Sequence, residues 1–503
     1  MTWWKARQSF PVRIFLVALV LRLIPVIALR SMSIGLDDMF QYDMLARSLA
    51  TGNGYRWYAY EDLKMLEPYV EFDLSSVDYD PLRGVPTSFR APLYPAFLAL
   101  IYLLTGTGLT RFFAARLVQT LLGALLAPLT YLVARSLLPH SSVDQDKRRD
   151  GAAAVAAWAV ACYPLLILYP FGLATENLFF PLILISFLFL SKSADHPTLV
   201  NFLLAGLSLG LAALTRSIVL PFAGLAILWV WLAIKQKRGA IALGLVLLAV
   251  TVPWVVRNSL FHHRLTGIES SMGYNLYVGY HPDSNGSFTF GVSLDLIPIL
   301  DDAERDQIGT QRALEFITAD PGRFLPLALN RLSFFFGLEK RVLMYFYANN
   351  FLGYIPSLPL LLISLVMFLP FVLVAASAPV GLALLRSQPK VHLLWLLLIA
   401  YLLPHVFILS EDRFHLAIVP LLAILAAYAW AGGWQTIRER RAGTRRRPEP
   451  VEGLVEGSGK VALVLAALVI LLLLANWGWE LWRDWEKLSQ LFGPNGNTLY
   501  LPY

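Results

Sequence analysis

Acids and arginines with chemical potential gather at the ends of long apolar runs. Asp37 and Asp38 follow the first run, Glu176 stands between two others, and Glu411 and Asp412 between two more, with Arg216 and Arg413 in equivalent short connections. A carboxylate at a water-facing helix end can accept a proton, and the planar donor fork of arginine matches an anionic oxygen. From Asp38, the residues Tyr42, Leu45, Ala46 and Leu49 recur at spacings of three and four, and Gly52 and Gly54 close the stretch. This predicts a helix over 38–49 lying along a membrane surface. Asp38 at its start carries two readings, helix cap and catalytic group.

Other reactive side chains offer less. His262, His263 and His415 are imidazoles without a metal pattern. Neighbouring histidines do not share a helical face, and no Cys or HxxxH spacing accompanies them, so no metal and no cofactor are expected. Gly52-x-Gly54 ends a helix instead of opening one after a strand, which argues against a nucleotide loop. The single cysteine, Cys162, excludes an intrachain disulfide.

The elements that must position these groups are membrane helices. Of the 503 residues 57% are hydrophobic and 15% charged, a balance that excludes a soluble enzyme, a disordered chain or a nucleic-acid binder. A hydrocarbon core of about 30 Å needs roughly 20 apolar residues per helix. Runs near 12–30, 111–138, 152–170, 177–191, 199–215, 217–234, 239–256, 356–385, 391–409, 414–431 and 460–478 predict about eleven transmembrane helices in an all-α polytopic fold. The first follows Lys5, Arg7 and Arg13 and reads as an uncleaved signal anchor.

One short run decides the orientation. Residues 92–105 are apolar but hold only 14 residues and open with Pro92 and Pro95, so they are expected to lie in the outer interface or re-enter. The basic clusters at 147–149, 235–238, 386–390 and 438–447 then fall on the inner side, as positive-inside topology requires. Arg216 and Arg413 remain as exceptions in short outer loops. Arg22, inside the first run, reads as snorkelling, packed within the bundle, or meeting a lipid phosphate. Acids collected at one face, with almost none at midplane, suit a catalytic cleft better than a transport path.

In this order along the chain stand Asp38-x-x-x-Tyr42-x-x-x-Ala46-Arg47-x-Leu49-x-x-Gly52-x-Gly54-Tyr55, Arg90-x-Pro92-Leu93-Tyr94-Pro95, Thr175-Glu176-Asn177, Gly206-x-x-x-Gly210-Leu211-x-x-Leu214-Thr215-Arg216, Pro253-Trp254-x-x-Arg257-Asn258 and Glu411-x-Arg413. Together they resemble the bacterial branch of the C-type (GT-C) glycosyltransferases, the polyprenyl-phosphate-sugar-dependent group that includes protein O-mannosyltransferases and the lipid A aminoarabinose transferase. The resemblance covers roughly residues 10–430.

It implies transfer of a sugar from a polyprenyl-phosphate carrier to a lipid, protein or glycan acceptor, with inversion. Asp38 is then the base, with Asp37 a rival because Met39 stands where many relatives have Glu; Glu176 assists or binds sugar hydroxyls. Arg257, Arg413 and Arg216 are the expected contacts of the donor phosphate, and Tyr42, Arg90, Tyr94, Asn258 and Glu411 the substrate-binding set. The leaving group is a lipid monophosphate, which carries less charge than a pyrophosphate, so no essential metal is expected. The catalytic region is placed at 1–435, with outer loops 31–110 and 257–355 capping the cleft; 436–459 is a basic cytosolic linker and 460–503 a last helix and outer tail. The expected setting is a bacterial inner membrane, with a cytoplasmic amino end, an outer active site, membrane lipids as neighbours and no nucleic-acid partner. The competing readings are a polyprenyl-pyrophosphate-dependent oligosaccharide transferase and a lipid-linked sugar transporter.

Overall fold

The computed structural model describes residues 3–139, 143–340, 353–385, 387–433 and 452–498, with positions 343, 347, 348 and 350. The basic cluster at 438–447 and most of the expected linker lie outside the described residues. Among the described residues, seven helices are long and apolar enough to cross a membrane: Ser9–Ala28, Thr110–Leu137, Glu176–Asp195, Lys237–Phe261, Ser357–Leu384, Pro389–Phe407 and Lys460–Arg483. Leu199–Ala213, Ser217–Leu232 and Val419–Ala431 occupy three more of the expected runs but are shorter. At 1.5 Å per residue they reach about 20 to 24 Å, less than the hydrocarbon thickness. The fold is all-α and polytopic, with a helix in every expected run and full crossing length in only some of them.

The run at 152–170 departs from the single straight helix expected. It is a bent pair, Asp146–Ala161 and Pro164–Phe171, meeting at 56°. Pro164 supplies no N–H to the preceding turn, so the helix stops and leaves carbonyls without intrahelical donors. Arg22, fully buried, fills that role: Nη1 donates to Ala161 O at 3.1 Å and Ala18 O at 3.0 Å, and Nη2 to Val160 O at 3.3 Å. Of its three readings, packing within the bundle is the one observed.

Lipid-facing and packed surfaces separate by residue type. Leu16, Val20, Ile24 and Ile27 are exposed at roughly one-turn intervals on the first helix, the pattern of a helix side bathed in lipid tails. Inside the bundle, small residues let backbones approach. A Cβ at Gly206 would lie 2.5 Å from Leu243 O, so the Gly206-x-x-x-Gly210 stretch serves close contact with the Lys237–Phe261 helix.

The non-crossing elements build a cap. The Leu93–Thr105 helix has 13 residues, too few to span, and exposes Leu100, Leu103 and Leu104. Strands Arg56–Trp57 and Val85–Pro86 pair antiparallel, with Arg56 opposite Pro86 and Trp57 opposite Val85. Gly84, at φ +70°, enables that turn, since a Cβ there would lie 1.9 Å from Trp57 O. A cluster of Phe40, Met44, Trp57, Val85 and Phe89 closes around Leu300 of the second long loop. In that loop stand two helices, Asp302–Ala319 and Phe324–Phe335, divided at Pro321-Gly322-Arg323.

Candidate active site

The first helix of the cap begins one residue away from where the spacing alone would cap it. Asp37 is the N-cap of Asp38–Ala50, its carboxylate accepting from Met39 N at 2.9 Å. The capping reading of Asp38 is therefore corrected, because a residue in the first helical turn points its side chain off the helix rather than back onto the free N–H groups. Asp38 meets arginines instead: Arg90 Nη2 donates to its Oδ1, and Arg413 Nη2 lies 3.6 Å from its Oδ2.

Arg90 is held in place by a partner that the sequence reading did not single out. Gln41 Oε1 accepts from Arg90 Nε at 2.9 Å and Nη2 at 2.7 Å. The signal was available, since Gln41 lies three residues after Asp38 and so on the same helical face. The guanidinium also sits over the rings of Tyr42 and Phe89, at 5.2 and 5.1 Å. Tyr42 in turn packs edge-on against Tyr94 at 5.1 Å, and Tyr94 is fully buried with its hydroxyl donating to Gln119. Tyr94 thus shapes the floor rather than the opening.

Two further ion pairs complete the cluster. Arg216 Nη1 lies 2.6 Å from Glu176 Oε1, and Arg413 Nε lies 2.6 Å from Glu411 Oε2. Arg216 and Arg413 both stand over Phe414, at 5.5 and 5.6 Å. Arg90, Asp38, Arg413 and Glu411 thus form one run of alternating charge, and Arg216 with Glu176 a second pair joined to it over Phe414, on helix starts and connections from distant parts of the chain. The side chains of Asp38 and Arg413 are 43% and 37% exposed, against 1% for Glu411 and 7% for Glu176. Only the first two present much of themselves to an incoming molecule.

Electrostatics follow this layout. Burial disfavours charge on Asp38, yet Arg90 and Arg413 beside it, with Arg216 farther off, hold its carboxyl below the usual range. Burial and the neighbouring charge of Asp38 push Asp37 up instead. Burial carries the Tyr42 phenol to about 12, so it remains protonated at neutral pH. Asp38 is the exposed carboxylate whose ionised form these arginines favour.

Two expected site residues have partners outside this ion-pair cluster. Arg257 donates to Thr87 O at 2.6 Å and to Asn258 Oδ1 at 2.9 Å, and stands over Tyr55, Trp254 and Phe261. Asn258 is fully buried, its amide donating to Gly267 O and Ile268 O, both at 3.0 Å. The pair secures the segment that carries Arg90. They share none of the described contacts of Asp38 or Arg413.

That segment has a second clamp missed in the sequence. Buried Asp302 accepts from Thr87 Oγ1, from Ser88 N at 2.7 Å and from Arg305. Ser88 Oγ is 2.7 Å from His262 Nε2, and His262 Nδ1 is 3.5 Å from Asp301 Oδ1. His415, also buried, bonds Phe335 O and Glu339 Oε1 at 2.7 and 2.9 Å. His262 and His415 thus have structural partners, and no group of three metal-ligating side chains stands together among the described residues.

The segment bearing several of these residues has known counterparts. Residues 89–256 match the dolichyl-phosphate-mannose-protein mannosyltransferase family. The matched third includes Arg90, Tyr94, Glu176 and Arg216, and bears out the GT-C resemblance drawn from the motifs. Among solved structures, the chain is similar to the oligosaccharyltransferase AglB of Archaeoglobus fulgidus, described in complex with an inhibitory peptide and a dolichol-phosphate. Identity is 14% and the TM-score 0.46, over 100% of this chain and 61% of that one. ArnT of Cupriavidus metallidurans, bound to undecaprenyl phosphate, is 16% identical over 86% of this chain and 78% of that one, with a TM-score of 0.39. The chain spans 61% of the length of the archaeal protein. No curated protein matches it.

Proposed function

We propose that the protein is a membrane glycosyltransferase that moves a sugar from a polyprenyl-phosphate carrier to an acceptor at the outer face. The observation that carries this reading is the freed Asp38 carboxylate, half exposed and facing Arg413 at 3.6 Å in the cap of a polytopic bundle. The match of residues 89–256 to mannosyltransferases that use a lipid-phosphate donor supports the same class.

In the reaction, Asp38 takes the proton from an acceptor hydroxyl or amine as that atom forms a bond to the anomeric carbon. The bond from that carbon to the phosphate oxygen breaks, and its electron pair leaves with the carrier phosphate. Attack from the side opposite the leaving group inverts the centre. Arg413, the most exposed guanidinium of the cluster, receives the developing phosphate charge, with Arg216 behind it. Arg90 and Gln41 keep Asp38 aimed and ionised. Glu176 holds Arg216, and Glu411 holds Arg413. A single phosphate leaving group asks for less neutralisation than a pyrophosphate, and the arginines of the cluster supply it.

The test is sugar transfer by purified protein from a panel of radiolabelled polyprenyl-phosphate sugars, with membrane extract as acceptor source. The expected result is labelled product with the wild type and none above background with Asp38→Asn. Binding of these donors without transfer by the wild type would refute the enzyme reading.

A further inference from the structure

A second polar cavity opens on the far side of the helix that carries Asp38. It has a volume of about 210 Å³, and its wall includes Arg47, Arg56 and Arg83. Arg47 stands nine positions after Asp38, which at 3.6 residues per turn puts them on opposite faces and about 14 Å apart along the axis. The cavity is therefore distinct from the acid–arginine cluster.

Three guanidiniums line it. Arg47 is already paired, through Nη2 with Asp62 at 2.6 Å and through Nε with buried Asp43 at 2.8 Å. Arg56 donates through Nη1 to Gly84 O at 2.9 Å, which fixes its position and leaves further N–H groups. Arg83, with a side chain 59% exposed, is only loosely tied to Asp80 at 3.9 Å. Such forks bind phosphate oxygens in pairs.

Its rim is apolar. Leu82 and Thr107 both line the cavity; Leu82 is 85% exposed, and Thr107 lies between Leu104 at 88% and Leu109 at 81%. Leu100 and Leu103 extend that surface along the Leu93–Thr105 helix, which is too short to span. Leucines this exposed, next to a helix of this kind, mark contact with hydrocarbon at the bilayer edge. Cations directly behind them meet the depth at which lipid phosphates lie.

We propose that this cavity binds the phosphate of an anionic glycerophospholipid of the surrounding bilayer, with its acyl chains against Leu82, Leu104 and Leu109. The guanidinium N–H groups left on Arg56 and Arg83 select an anionic headgroup over a zwitterionic one, whose choline would face the same cations. Occupancy braces the turn at residues 80–84 and the end of the Asp38–Ala50 helix. The site is independent of the transfer reaction.

The experiment titrates delipidated full-length protein with dioctanoyl phosphatidylglycerol, dioctanoyl phosphatidylcholine or glycerol 3-phosphate, reading bound ligand by native mass spectrometry. Wild type is expected to bind phosphatidylglycerol about tenfold more tightly than phosphatidylcholine, and Arg56→Gln/Arg83→Gln to lose about that factor, the size of a lost charged hydrogen bond. Arg83→Gln alone, which leaves the bond from Arg56 to Gly84 intact, should lose part of it, and Leu82→Ser should weaken the lipid but not glycerol 3-phosphate. Arg148→Gln, in a basic cluster remote in sequence, should change nothing. Equal binding of the two lipids, or unchanged phosphatidylglycerol binding in both arginine variants, would overturn the proposal. Glycerol 3-phosphate binding as tightly as the lipid would also overturn it, by assigning the site to a soluble phosphate.

Discussion

Asp37 and Asp38 are adjacent in sequence but opposite in role: Asp37 accepts the Met39 N–H at 2.9 Å and anchors the helix, while Asp38 turns to Arg90 and Arg413. The first prediction separates them. Asp37→Ala should cost about 0.5 to 2 kcal/mol, the value of a lost N-cap, and lower the melting temperature while transfer persists. Asp38→Asn should fold normally yet lose about 10² to 10⁴ in kcat, the usual contribution of a positioned base. Melting curves beside transfer rates on both variants check this; a dead Asp37→Ala with an active Asp38→Asn would reverse the assignment.

The second prediction concerns pH. In the proposed reaction Asp38 acts in its ionised form, and its carboxyl is held below the usual range by Arg90 and Arg413 against the effect of burial. Activity should therefore persist as pH falls through the ordinary carboxylate range and fail only below it. Removing a stabilising cation raises the pKa, so Arg90→Gln should move the acid limb of kcat/KM to higher pH. An Arg413→Gln variant should do the same and, in addition, slow departure of the phosphate, lowering kcat at the pH optimum. An acid limb that stays put in Arg90→Gln would show that a different group sets it.

The buried pair of Glu176 and Arg216, 2.6 Å apart, gives the third prediction. Removing one partner leaves the other charged and poorly solvated, which costs about 3 to 5 kcal/mol, whereas replacing both by neutral groups of similar size is often tolerated. Arg216→Met alone should sharply lower stability, and Glu176→Gln/Arg216→Met should recover most of it. If the pair were only structural, the double variant would recover activity too; it should remain impaired, because the cation behind Arg413 is gone. Thermal melts and transfer rates on the two variants and the wild type decide this.

What could be read from the chain alone follows from the range of each interaction. Apolar runs and the helix after Asp38 depend on residues a few positions apart, so they were legible, as was the short Leu93–Thr105 segment. The cap was misplaced by one residue because two adjacent aspartates offer the same chemistry and only backbone direction chooses between them. Arg22 gave no local hint of its partners, since Val160 and Ala161 are 138 and 139 residues away. For Arg257 and Asn258, nothing nearby in sequence shows that they donate to the Thr87 and Gly267 carbonyls.

The same limit hid Asp302, and the last prediction tests its part. Asp302 holds Thr87 and Ser88, 215 and 214 residues away, two to three positions from the arginine that aims Asp38. Asp302→Asn keeps the size but weakens acceptance from the Ser88 N–H and the ion pair with Arg305, so the segment carrying Arg90 should shift. A displacement of about 1 Å in a catalytic group costs up to about 10²-fold in rate. The expected signature is a fall in kcat of that order with donor KM little changed, and an acid limb displaced in the same direction as in Arg90→Gln. A role confined to folding would lower the melting temperature and the active fraction, but leave the pH profile of the remaining enzyme where it was.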